Sequence, residues 1–209
     1  MVSFGKDRFP PGYQYGVGWK GMDRLHDSSK RMIEIFKQYD IISKDDLTVC
    51  EIGSGPGRNF QYIYNENQTT KFYSNDLWEE TTNYLMGDMK TLYENGNFEF
   101  TVMDTEDYVN SRDLKVDIFM SLAHFMHLQY DKAENIIKRV RDVWQPTYIY
   151  ISEINKNGED VNHPKLYHDY TLFDEKYDII HSEDLQIPRL VAGEWRKKVS
   201  LIRLYKLKG

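Results

Sequence analysis

Short apolar runs alternate with longer helical stretches through the middle of this 209-residue chain, and this alternation constrains its fold most. It is typical of a parallel sheet wrapped by helices, because each interval is long enough for a crossover helix. The predicted strands are residues 47–52, 71–75, 98–103, 116–122 and 147–152. The clearest predicted helices are residues 79–93 and 131–144, stopped by Gly96 and Pro146, with another amphipathic helix starting near Asp27.

The carboxyl end follows a different pattern. Residues 177–181 and 198–207 are two strand-like runs, and the interval between them is too short for a crossover helix. They should therefore pair antiparallel. We predict an α/β fold: a doubly wound, seven-stranded, mostly parallel sheet with a C-terminal antiparallel strand pair and helices on both faces.

Composition and charge narrow the class of protein. No repeat or linker divides the chain, so we predict one domain over residues 1–209. No apolar run is long enough for a membrane span or a signal peptide, which favours a cytoplasmic location. The net charge of -6 argues against broad binding to nucleic acid. Cys50 is the single cysteine, so an internal disulfide is excluded, and we expect it in a buried strand.

Residues 47–60 hold the most informative segment, an apolar strand that runs into a glycine-rich turn and then a helix. In doubly wound sheets a ligand lies beyond the strand ends, where glycine lets the backbone approach it closely. A dinucleotide fingerprint requires glycine where Arg58 stands, and a phosphate loop requires a Gly-Lys-Ser or Gly-Lys-Thr that does not follow. The carboxylate of Glu51 would repel a pyrophosphate and attract a cationic amino or sulfonium group.

Acidic residues follow the next two predicted strands as well. Asp76 closes the second strand, about twenty residues past the turn, and could accept both hydroxyls of a ribose. Asp104 closes the third strand. Aspartate is common at strand ends because it accepts hydrogen bonds in turns, so each acid taken singly has a structural alternative. Their recurrence at successive strand ends, after a glycine turn that carries its own acid, favours a cofactor site at this edge of the sheet.

The segment resembles the class I methyltransferase family, whose first motif, acid-x-Gly-x-Gly-x-Gly, is matched by Glu51, Gly53, Gly55 and Gly57. The resemblance covers residues 47–152 and implies S-adenosylmethionine as methyl donor and S-adenosylhomocysteine as product. We predict that the domain consists of an arm and helix (1–45), a cofactor-binding core (46–152), and an insert with the strand pair (153–209). The donor contacts it implies are Glu51, Gly53, Ser54, Gly55, Gly57, Asp76, Leu77, Asp104, Thr105, Ser121 and Leu122.

The end of the fourth strand borders both donor and acceptor in this family. His124 and His127 follow that strand and are our candidates for a general base, since histidine titrates near neutral pH. The alternatives are a structural role at a helix start and a metal site joined by His163 or His168. No compact ligand spacing supports the metal site, so we expect no metal.

The methyl acceptor is the least constrained part of the prediction. Tyr13, Tyr15 and Trp19 of the amino-terminal arm, and a polar, aromatic insert at 155–173, favour an O or N atom of a small molecule. The sequence 121–124 replaces the Asn/Asp-Pro-Pro-aromatic motif of base methyltransferases, so a nucleic-acid acceptor is disfavoured. Alternatives are a protein or RNA acceptor docked on the basic carboxyl end, a non-catalytic S-adenosylmethionine-binding protein, and a nicotinamide-dependent oxidoreductase. The oligomeric state is left open.

Overall fold

The computed structural model describes residues 25–77, 79–85, 87–154, 168–191 and 194–209. Within these ranges seven strands form one sheet in the order β3-β2-β1-β4-β5-β7-β6. The strands are β1 Thr48–Ile52, β2 Lys71–Asp76, β3 Phe98–Val102, β4 Ile118–Leu122, β5 Tyr148–Ile154, β6 Tyr177–Val191 and β7 Glu194–Leu207. The predicted fold class is confirmed. The chain divides into two compact units, one up to Thr105 and one from Glu106, which are described separately; the single-domain assignment stays a prediction.

The first unit pairs three parallel strands and packs helices on them. β1 pairs with β2, and β2 with β3. Its helices are α1 Leu25–Gln38, α2 Arg58–Glu66 and α3 Met89–Glu94; the next helix, α4 Thr105–Asn110, belongs to the second unit except for its first residue. An aromatic cluster forms the core, with the ring of Phe60 from α2 lying 4.7 Å from Phe72 and 5.3 Å from Phe98, measured between centroids. Burying such rings stabilises the docking of α2 on the strands.

One predicted helix of this unit is wrong. Residues 79–93 form a 3-10 turn, Glu79–Tyr84, and the short helix α3. Gly87 separates them because its φ of 52° is left-handed and interrupts a helix. The Asp88 amide donates to Gln61 Oε1 at 2.7 Å, so α2 fixes the start of α3. Helix α4, at the start of the second unit, was also not predicted, because it is too short to show helical periodicity.

The second unit continues the parallel pattern and then reverses it. β4 pairs with β5 in parallel, whereas β7 pairs antiparallel with both β5 and β6. The predicted helix 131–144 is helix α5, Tyr130–Arg139, extended by a π-helical turn, Val140–Trp144. That turn ends at Gln145, with a φ of 50°, just before Pro146. Trp144 is fully buried and its Nε1 donates to the Arg112 carbonyl at 2.8 Å.

The terminal strand pair is antiparallel as predicted, but its predicted bounds are wrong. Both strands are much longer than the runs 177–181 and 198–207, and the expected loop is largely strand paired in register, for example Leu185 with Ser200. From His181 to Gln186 the side chains alternate between half-buried and exposed. Polar residues occupy both sets of positions, so the period of two is hidden in the hydropathy pattern.

Several predicted features fall outside the described residues. These are the aromatic arm with Tyr13, Tyr15 and Trp19, and residues 155–167 of the insert, including His163. Cys50 is buried in β1, as predicted. Among the described helices, none is long and apolar enough to cross a membrane.

Candidate functional site

The glycine turn between β1 and α2 is built from left-handed backbone. Gly53, Gly55 and Gly57 have φ angles of 62°, 54° and 77°, a region that disfavours residues with a Cβ atom. The Gly53 amide donates to the Asn75 carbonyl at 3.1 Å, and the Gly57 amide donates to the Ser54 carbonyl at 3.3 Å. The alternating glycines therefore form a compact backbone loop at the carboxyl end of β1, with α2 starting directly behind it.

Asp76 and the glycine turn lie together, as the sequence predicted. The Gly55 amide donates to Asp76 Oδ2 at 3.2 Å, and only 8% of the Asp76 surface is exposed. Ser74, also on β2, places its Oγ 2.5 Å from Ser54 Oγ and 2.9 Å from the Glu51 carbonyl oxygen. With the Gly53–Asn75 hydrogen bond, the end of β2 thus holds the turn at three points, and the Asp76 carboxylate lies beside the backbone of Gly55.

Glu51 is buried at the end of β1, where its carboxylate has partners that the sequence analysis missed. Asn59 Nδ2 donates to Glu51 Oε1 at 2.7 Å, and Asn59 Oδ1 accepts from Ser29 of α1 at 2.7 Å. Burial lowers the pKa of Arg58, and the negative charge of Glu51 opposes that shift. The positive charge of Arg58 therefore partly offsets the negative charge of Glu51. The sequence position of Asn59 does indicate such a contact, because polar residues in the first turn of a helix that follows a strand and a tight turn lie near the end of that strand.

We expect Asn59→Ala to lower the free energy of unfolding by about 2 kcal/mol, because it removes a hydrogen-bond donor from a buried carboxylate. Asn59→Asp should be worse, since it places a second acid against Glu51. Urea denaturation measures both. Asn65→Ala, an exposed change near the end of α2, is the control. An Asn59→Ala protein as stable as this control would contradict the importance of the contact.

Asp104 and Thr105 lie between β3 and α4. β3 ends at Val102, so Asp104 is in the following turn rather than the last strand position. Asp104 is half-buried, and buried Thr105 begins α4. Asn75 Nδ2 donates to Thr105 Oγ1 at 2.9 Å and to the Met103 carbonyl at 3.1 Å, which joins this turn to the end of β2. Leu77 follows β2 and is half-buried. The cofactor roles of Leu77, Asp104 and Thr105 stay predictions.

In the second unit, the segment after β4 is held by the end of β5. Ser121 is buried, Leu122 is half-buried, and Ala123 has a left-handed φ of 56°. The Ala123 amide donates to the Ser152 carbonyl at 2.8 Å. Glu153 Oε1 accepts from Ser121 Oγ at 2.8 Å and from the amides of His124 and Phe125, each at 3.0 Å. Glu153 lies just beyond the predicted strand 147–152 and was not among the predicted site residues.

Burial raises the pKa of Glu153 to about 7, against the opposing effect of these hydrogen bonds. The two histidines predicted as general bases differ in exposure: His124 is half-buried and His127 is exposed. Their catalytic roles stay predictions.

His168 lies against the same segment. Its ring centroid is 6.1 Å from that of Phe125 and 5.3 Å from that of Tyr130. Burial lowers the pKa of His168, so the neutral imidazole is favoured. Within the described ranges, no group of three or more His, Cys, Asp or Glu side chains could hold a metal ion.

Comparison with known proteins identifies the domain. A family model described as a methyltransferase domain matches residues 49–147, which include the glycine turn, Asp76 and Asp104. The chain carries a methyltransferase domain. No curated protein sequence matches it significantly.

Solved structures share the fold of this methyltransferase domain. NodS, an N-methyltransferase from Bradyrhizobium japonicum solved with S-adenosyl-L-homocysteine, is 10% identical with a TM-score of 0.63, covering 90% of this chain and 89% of NodS. Magnesium protoporphyrin IX methyltransferase from Synechocystis PCC 6803, also solved with that product, is 13% identical with a TM-score of 0.65, covering 88% and 84%. A candidate RNA methyltransferase from Pyrococcus horikoshii, PH1948, is 12% identical with a TM-score of 0.62, covering 86% and 83%.

These neighbours confirm the predicted class I methyltransferase fold. The match of the family model to residues 49–147 confirms the predicted methyltransferase class, whose methyl donor is S-adenosylmethionine. Their names point to different acceptors, so the fold of a methyltransferase domain does not fix the acceptor.

Proposed function

We propose that this methyltransferase domain transfers the methyl group of S-adenosylmethionine to an O or N atom of a small-molecule acceptor and releases S-adenosylhomocysteine. The observation that carries the proposal is the left-handed glycine turn with Asp76 hydrogen-bonded to Gly55. A backbone loop without side chains beside a carboxylate suits a nucleoside, because it allows close approach and accepts ribose hydroxyls.

The remaining donor contacts follow from charge and position. The buried carboxylate of Glu51 favours the cationic part of the donor, although the positive charge of Arg58 partly offsets the negative charge of Glu51. Leu77 would contact the adenine face, Asp104 and Thr105 its polar edge, and Ser121 and Leu122 the methionine part. Gly53, Ser54 and Gly57 would line the backbone loop. Each of these assignments is part of the proposal.

Methyl transfer is an in-line displacement, so alignment and the exclusion of water contribute most of the rate. An acceptor nitrogen or oxygen attacks the methyl carbon, the bond from carbon to sulfur breaks, and the sulfonium becomes a neutral thioether. An acceptor proton must then leave. His124 is the better base candidate of the two histidines because it is half-buried, which limits competition from bulk water.

A small molecule is the favoured acceptor class. The net charge of -6 disfavours a long nucleic acid, whose binding relies on many Lys and Arg contacts to phosphate. A cytoplasmic location is also part of the proposal. An RNA or protein acceptor would be revealed by methylation that weakens steeply with added salt.

We expect S-adenosylhomocysteine to bind the wild-type protein with micromolar affinity, measured by calorimetric titration. Asp76→Asn should weaken it by roughly 10- to 100-fold, because the amide cannot supply the charged hydrogen bonds of a carboxylate to ribose. Asp45→Ala, at an exposed position ahead of β1, should bind like wild type.

Two outcomes would count against the proposal in different ways. A folded wild-type protein that does not bind S-adenosylhomocysteine would overturn the donor site, and dinucleotides would be titrated next. Binding without methylation of any amine, phenol or carboxylic acid in a donor-labelled screen would favour the non-catalytic alternative.

A further inference from the structure

Glu153 is a buried acid at the end of β5 that the proposed reaction has not yet used. Only 2% of its surface is exposed. Oε1 accepts three hydrogen bonds from the segment after β4, the backbone of Met126 also interacts with the carboxyl group, and Oε2 is buried as well. A carboxyl group placed at such a cost in solvation is a specific feature of the site rather than a surface accident.

The three hydrogen bonds lie on one short piece of chain. They come from Ser121, the last buried residue of β4, and from the backbone of the two residues where the 3-10 turn Phe125–His127 begins. Glu153 Oε1 thus acts as a cap supplied from a neighbouring strand, taking up amide groups that a short helix leaves without internal acceptors.

The backbone between these contacts needs such a cap. Ala123 has a left-handed φ of 56°, which costs a residue with a Cβ atom about 1 kcal/mol or more. Such a conformation persists only when its surroundings fix it. Here the Ser152 carbonyl holds the Ala123 amide, and the next residue of β5, Glu153, holds the two amides that follow.

We propose that Glu153 is a positioning residue of methyl transfer: through Oε1 it fixes residues 121–125 in the conformation that presents Ser121 and Leu122 to the donor and His124 to the acceptor. The hydrogen bonds of Glu153 Oε1 all go to this segment, so the proposed role is exerted through the segment and not by direct contact with the substrate. The role rests on the proposed function, because only a donor and an acceptor at this segment make its conformation matter for catalysis.

The test compares Glu153→Ala with Glu153→Gln by hydrogen exchange of individual amides. Alanine removes the acceptor, so exchange at His124 and Phe125 should quicken by about tenfold or more. Glutamine keeps a carbonyl oxygen at the position of Oε1, so exchange there should stay within about threefold of wild type. The amides of Ile136 in α5 and Ile151 in β5 report global opening, and the effect at His124 and Phe125 must exceed theirs.

Calorimetric titration with S-adenosylhomocysteine then measures how the same variants bind the product. We expect Glu153→Ala to weaken binding about tenfold and Glu153→Gln to restore it to near the wild-type value. Unchanged exchange at His124 and Phe125 in Glu153→Ala, or a Gln variant as impaired as the Ala variant in both measurements, would overturn the positioning role. Should Glu153→Ala fail to fold, Glu153→Asp replaces it, since its carboxylate is one methylene too short to hold both amides.

The two proposals fail separately. Absence of product binding by the wild-type protein would overturn the proposed function while the exchange data still decide whether Glu153 holds the segment. Normal product binding in wild type and Glu153→Ala alike would leave the donor site intact and overturn the positioning role.

Discussion

Replacing Gly57 by valine should lower the free energy of unfolding by about 4 kcal/mol and weaken S-adenosylhomocysteine binding at least about tenfold. Gly57 has a φ of 77°, and a Cβ atom there would lie 3.1 Å from Met89 Cγ. Left-handed backbone is costly for a β-branched residue, and the contact with Met89 adds a packing term. Because Gly57 ends the turn directly before α2, relief of that strain must displace the turn. Urea denaturation and calorimetric titration measure the two effects.

Gly96→Val is a matched control for this change. Gly96 has nearly the same φ, 76°, but an added Cβ atom there would meet nothing within 4 Å. Gly96→Val should therefore lower the free energy of unfolding only by the cost of left-handed backbone, about 2 kcal/mol, and should bind S-adenosylhomocysteine like wild type. Equal loss of stability in the two variants would show that the Met89 contact contributes nothing. Equal binding by both would contradict the assignment of the glycine turn to the donor site.

The sequence was informative where local chemistry decides structure. Strands β1 to β5 were predicted to within about two residues at each end, because each contains a short run of apolar or aromatic residues bounded by turn residues. The helix 79–93 failed because Gly87 takes a left-handed φ that no periodicity reveals. The hairpin of β6 and β7 was underestimated because its polar side chains hide the period-two pattern.

In the candidate site, too, some contacts could be predicted from the sequence and others could not. The proximity of Asp76 to the glycine turn was predictable, because carboxyl ends of adjacent parallel strands meet at one edge of a sheet. The contact of Asn59 with Glu51 was not predicted, since it depends on how α2 packs beside β1. Glu153 was missed because its role comes from hydrogen bonds to a segment about thirty residues away, which composition and spacing do not encode.

The carboxyl group of Glu153 should make the free energy of unfolding fall as the pH rises. The expected decrease is about 3 kcal/mol between the pKa of Glu153 in the unfolded state and its pKa in the folded state. Burial raises its folded pKa from 4.5 to about 7. Below the lower value both states are protonated. Between the two values the unfolded state ionises first, so it binds fewer protons and is favoured by rising pH. The stabilisation by the protonated Glu153 carboxyl group is therefore fully present below the unfolded pKa and is lost once the pH passes the folded pKa.

Glu153→Gln removes this contribution because an amide does not ionise. The free energy of unfolding of the variant minus that of wild type should therefore increase by about 3 kcal/mol from mildly acidic to mildly basic pH, measured by urea denaturation. Tyr170, whose pKa burial holds well above its usual range, stays neutral over this interval and adds no competing titration. Glu94→Gln, an exposed change at the end of α3, should alter the difference far less. A difference that is constant with pH would show that the Glu153 carboxyl is solvated, and its role as a buried cap would then fail on thermodynamic grounds.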